Sequence, residues 1–80
     1  MLAYIRERID FEISDEVYVR IDHAVGQAWN AVPVGGEFDV PEIVEAIRGL
    51  RAQSVLFSEA QMNTLAQLMI AALANDDMVR

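Results

Sequence analysis

The chain predicts a small α+β domain, mostly helical, in which an N-terminal strand is followed by three amphipathic helices. Apolar and charged residues alternate over the opening segment. Apolar residues then recur at helical spacing in three later stretches, and each of those stretches begins at a Ser or Asp suited to cap a helix.

In the opening segment Ala3, Ile5, Ile9, Phe11 and Ile13 occupy odd positions, while Arg6, Arg8, Asp10 and Glu12 occupy even ones; Glu7 is the exception. On a helical wheel these residues scatter, so the period of two predicts a strand. From Val17 the pattern changes. Val17, Tyr18, Ile21, Ala24, Val25, Ala28, Trp29, Ala31 and Val32 gather on one side of a wheel, and Arg20, Asp22, His23, Gly26, Gln27 and Asn30 on the other. That division predicts a first helix, capped by Ser14, with Asp15 and Glu16 where the helix dipole favours anions.

Pro33 and Gly35-Gly36 break the chain, leaving 37–40 as a short extended piece available to pair with the first strand. Asp39 caps a second helix, with Glu42 completing a capping box and Pro41 in the first turn. This helix fades near Gly49 or Gln53. Ser58 caps the third, with Gln61 at the capping-box position. Ile13 with Tyr18, Phe38 with Ile43, and Phe57 with Met62 flank the three caps as hydrophobic staples. There is no repeat, low-complexity run or linker, so residues 1–80 read as one domain.

The third helix is apolar over more than half its circumference, through Met62, Leu65, Leu68, Met69, Ile70, Ala72 and Leu73. So wide an arc belongs either to the centre of its own core or to a surface buried by another chain. In the second case Leu65, Leu68, Met69 and Ala72 are the candidate self-association residues of a homodimer or assembly subunit. Gly26 stands out on the polar face of the first helix, where Gly costs about 1 kcal/mol relative to Ala. The glycine is either drift, a place where a loop packs against the helix, or a point where another backbone approaches closely.

Composition narrows the function. A 54% hydrophobic content with 24% charged residues places the chain among globular rather than disordered sequences. The absence of Cys excludes disulfides, thiolate nucleophiles and Cys-based zinc sites. His23 is the single imidazole and lies on a polar face, while Ser14 and Ser58 are accounted for as caps, so no nucleophile stands beside a base. Asp10, Glu12, Asp15 and Glu16 lack the spacing and turn glycine of a calcium loop, and Asp76-Asp77 sits at the C-terminal end. Gly35-Gly36 has neither the Lys nor the Gly spacing of a phosphate cradle. The expectation is a non-enzymatic protein without metal or cofactor. Its longest uncharged stretch, 60–75, contains Gln61, Asn63, Thr64 and Gln67 and is too short and polar to span a bilayer. A soluble, cytoplasmic protein is expected, and the exclusive use of Arg for basic charge fits a GC-rich bacterial or phage genome.

The net charge of −7 is unevenly placed: residues 1–40 carry −5 and residues 41–80 carry −2. Asp10, Glu12, Asp15 and Glu16 form the densest part, with Asp22 further along the first helix. Such a surface either keeps the protein soluble or docks on a protein partner with a basic surface, where carboxylates can occupy places meant for phosphates. The leading expectation is therefore a small acidic inhibitor or adaptor using Asp10, Glu12, Asp15, Glu16 and Asp22. Direct binding to nucleic acid is disfavoured, because it needs Lys or Arg to displace phosphate counterions.

The order of elements over residues 5–52, a strand followed by two amphipathic helices, resembles that of ribbon–helix–helix regulators. That resemblance implies a dimer whose paired strands enter a major groove. The sequence departs from it in the long connection around Pro33–Val40 and in the acidic Asp10 and Glu12 among the outward strand residues. The remaining alternative is a structural subunit that self-associates through the third helix.

Overall fold

The computed structural model describes the backbone of residues 2–79 and the side chains of residues 2–74; the carboxylates of Asp76 and Asp77 lie outside the described side chains. The chain is 71% helical. In order come α1 (Leu2–Arg6), α2 (Asp15–Ala31), α3 (Val40–Arg48), a 3₁₀ segment (Gly49–Gln53) and α4 (Glu59–Val79).

No strand occurs among the described residues, which overturns the expected α+β class. The opening segment instead starts as a helix. Leu2 and Ile5 lie three apart on one face of α1, and Ile5 is fully buried. Arg8 closes the helix: its Nη1 donates to the Tyr4 carbonyl at 3.0 Å, and its guanidinium lies 3.8 Å from the Tyr4 ring centroid. From Ile9 onward the chain is irregular, yet burial still alternates. Ile9 and Phe11 are half-buried, Ile13 is buried, and Asp10, Glu12 and Ser14 are exposed. Over 9–14 the period of two matches the burial without any strand, whereas within α1 it fails, since Ala3 is exposed and Tyr4 half-buried. The Arg6 guanidinium holds this segment, its Nη2 donating to the Ile13 carbonyl at 2.6 Å and to Asp15 Oδ1 at 2.8 Å.

Residues 37–40 also form no strand. Val40 begins α3, and Asp39 is its cap. The two strands that were to pair are thus both absent, and with them the ribbon of the ribbon–helix–helix order.

The three helix starts stand where their caps predict. Ser14 Oγ accepts from the Val17 amide at 3.1 Å. Asp39 and Glu42 form a reciprocal capping box. Ser58 and Gln61 do the same, at 2.9 and 3.1 Å. Between α2 and α3, the Gly36 amide donates to the Pro33 carbonyl at 2.9 Å with Gly35 at φ +82°, the positive value that the third position of a type II turn requires. The second predicted helix ends in two stages, as α to Arg48 and as 3₁₀ to Gln53. It stops at Ser54, which adopts a left-handed conformation with φ 64°.

The core joins Ile5 and Ile13 to Ile21 and Val25 of α2, Ile43, Val44 and Ile47 of α3, Leu50 and Val55 beyond it, and Met62, Leu65, Ala66 and Met69 of α4. α3 packs against both α2 and α4, and α1 packs against α4; α2 and α4 make no comparable contact with each other. The broad apolar arc of α4 is explained by this position, since it meets α1 as well as α3. Leu65 and Met69 are 1% and 2% exposed and belong to this chain's own core, while Leu68 and Ala72 are half-buried. Arg48 pins the end of α3 to the start of α4 through Glu59, at 2.8 Å.

Truncating Leu65 to Ala should cost about 2–5 kcal/mol, a large share of the stability of a domain this size, and denaturant unfolding should register a far smaller loss for Leu68→Ala. Ser54→Gly removes the steric cost of the left-handed conformation. It should raise stability by about 1 kcal/mol, measurable as a rise of several degrees in Tm.

Candidate functional site

The five carboxylates singled out in the sequence are all exposed, but they divide into two groups. Asp10 and Glu12 project from the irregular segment between α1 and α2, and Asp15 and Glu16 occupy the first turn of α2. Glu12 borders a shallow hollow shared with Arg6, Phe11, Ile13 and Ser14. Asp22 lies apart, seven residues beyond Asp15 and so on the same face of α2 two turns along.

Electrostatically the five are not equivalent. Asp15 is paired with Arg6 at 2.8 Å and Glu16 with Arg20 at 2.9 Å. Both carboxylates remain more than three-quarters exposed, at 83% and 77%, so water screens these pairs and each contributes little to stability. Arg20 also donates to the Gln53 carbonyl at 3.2 Å and so fastens α2 to the end of the 3₁₀ segment. Among the described residues Asp10, Glu12 and Asp22 have no ion-pair partner. Burial pushes the Tyr18 hydroxyl above its ordinary pKa, and the neighbouring Asp22 charge adds to that rise.

A second feature emerges only from the tertiary structure. Between α2 and α4, which both pack on α3, an open groove of about 520 Å³ remains. Val25 and Met69 form its floor; Trp29 and Phe38 stand on one side, Ile70 and Leu73 on the other. Trp29 and Phe38 meet edge to face, 5.0 Å between centroids at 84°. The Trp29 ring, assigned by pattern to the apolar side of the first helix, is 57% exposed, and Leu73 is 40% exposed. Asp22 is the single charged residue among the described residues that line the groove.

Gly26 also lines it. A Cβ built on Gly26 would meet nothing within 4 Å among the described residues, so no described loop packs there. The sequence carried two traces of the groove, the glycine inside a helix and the excess apolar width of α4, but neither shows that the two faces meet. Among the described residues no cluster of three or more His, Cys, Asp or Glu could hold a metal ion, and no helix is long and apolar enough to cross a membrane.

Comparison with family models, curated proteins and solved structures finds no match to this chain.

Because Tyr18 has a raised pKa, the folded state holds its proton more tightly than the unfolded state does. Its contribution to stability is complete below a pH of about 10 and is lost as pH rises through the higher folded value. Tyr18→Phe should flatten this alkaline loss in denaturant melts. Asp22→Asn should lower the phenol's pKa only part of the way, because burial is the larger cause; phenolate absorbance against pH in a Tyr4→Phe background, where Tyr18 is the remaining tyrosine, reads this.

Proposed function

We propose that this protein is a non-catalytic interaction module, an acidic inhibitor or adaptor that docks on a basic surface of a protein partner in the cytoplasm. The distribution of ion pairs supports this reading. Arg6, Arg8, Arg20 and Arg48 are each neutralised by a carboxylate of the chain itself. Asp10, Glu12, Asp22 and Glu37 have no such partner among the described residues and are exposed. The positive charge is therefore largely spent within the molecule, and the excess negative charge faces outward. An outward field of one sign speeds encounter with a partner of opposite sign and opposes encounter with nucleic acid.

Within the five-residue set, Asp10, Glu12 and Asp22 are the residues assigned to partner contact. Asp15 and Glu16 extend the field, but they are already paired. α4 supplies core, and its buried Leu65 and Met69 leave Leu68 and Ala72 as what a self-associating face would have to use.

The test begins with capture of partners from the native host on the purified protein. Affinity for the captured partner is then measured for the wild type and for the double variant Asp10→Lys, Glu12→Lys. The variant should bind about tenfold more weakly or worse, and wild-type affinity should fall steeply as salt rises. Unchanged affinity in the charge-reversed protein would rule out the acidic surface as the binding determinant.

A further inference from the structure

We infer that the groove between α2 and α4 receives an amphipathic helix whose buried face is apolar and whose flank carries Lys or Arg. The inference rests on the reading of this protein as a binder of basic partners, and it names the part of the partner that docks.

Shape is the first argument. Asp22, Gly26 and Trp29 line the α2 side at helical spacing, and Met69 and Leu73 line the α4 side one turn apart. The α2 wall from Asp22 to Asn30 spans about 12 Å, two helical turns, the length over which a docked helix offers anchors at i, i+3, i+4 and i+7. Helix interiors disfavour glycine, and among the described residues nothing lies within 4 Å of where a Cβ on Gly26 would stand. A bare backbone at that point lets another helix approach α2 more closely than any larger residue would permit.

Charge selects the occupant. Asp22 lines one end of the groove without an ion-pair partner among the described residues, and the exposed Glu37 and Asp39 flank Phe38 in the chain. No Arg is among the described residues that line the groove. An apolar floor beneath a carboxylate complements an apolar helix with a basic flank. A second copy of this chain is the poorer fit, because each copy carries −7 and the described residues of this face offer no Lys or Arg to meet the other copy's Asp22.

Trp29 is the only tryptophan in the chain, so its fluorescence reports on the groove. The probe is a synthetic Leu/Lys peptide of helical periodicity, with a Leu/Glu peptide of the same pattern as its opposite. The Leu/Lys peptide should shift Trp29 emission to the blue in a saturable way, and the Leu/Glu peptide should not. Gly26→Gln, which fills the groove with a neutral helix-favouring side chain, should weaken peptide binding at least tenfold while its Tm stays equal to or above the wild type. Asp22→Asn should weaken it several-fold. Equal binding by Gly26→Gln, or equal binding of the Leu/Glu peptide, would overturn the inference. So would a blue shift that grows with protein concentration alone together with a dimer in light scattering, because the groove would then belong to a second copy. With the captured partner, loss of binding in the Asp10→Lys, Glu12→Lys variant but none in Gly26→Gln rejects the groove and leaves the acidic surface standing. The reverse pattern rejects the acidic surface alone.

Discussion

The structure depends on the burial of one short helix. α3 presents Ile43, Val44 and Ile47 to the core, and both long helices are organised around it. With no Cys in the chain, disulfides cannot supplement an apolar core that is small in a domain of this length. Each large side chain removed from water contributes about 1.5–3 kcal/mol before entropy is counted, so a few residues of α3 and their partners on α4 decide whether the chain folds at all. The polar groups at the helix ends are satisfied locally, by Ser14, by the Asp39–Glu42 box and by the Ser58–Gln61 box, which leaves the interior free of polar side chains among the described residues.

The same arrangement creates the groove. α2 and α4 both pack on α3 rather than closely on each other, and Trp29, Phe38 and Leu73 are left partly in water around a floor of core residues. An exposed tryptophan beside a helix-interior glycine is a poor arrangement for stability alone. It is a good one for receiving another helix. The arginines act in the opposite sense, holding Arg6 to Ile13 and Asp15, Arg20 to Glu16 and Gln53, and Arg48 to Glu59, so that they brace the fold and leave the unpaired carboxylates to set the outward field.

Much of the fold was legible because its signals are local. A cap needs a side chain three residues from the amide it accepts from, so Ser14, Asp39 and Ser58 announce their helices without reference to the rest of the chain. The alternation from Ile9 to Ile13 was legible as burial but misleading as secondary structure. A strand is defined by its partner, and whether a partner exists is not a property of the segment. The acidic residues were legible as a group, yet their separation into paired Asp15 and Glu16 and unpaired Asp10, Glu12 and Asp22 depends on where Arg6 and Arg20 come to lie.

What the sequence by itself determined, then, is whatever acts over a few residues: where the three main helices begin, which side chains prefer the interior, and a net charge of −7 concentrated in the first half. Only the tertiary structure decided that the opening segment is a helix and an irregular crossing rather than a strand. It alone decided that the broad face of α4 is consumed largely by its own core, and that Gly26, Trp29 and Leu73 share one groove. Local hydrogen bonds and charge are encoded residue by residue, whereas a groove is the space left between helices, set by how far α3 holds them apart.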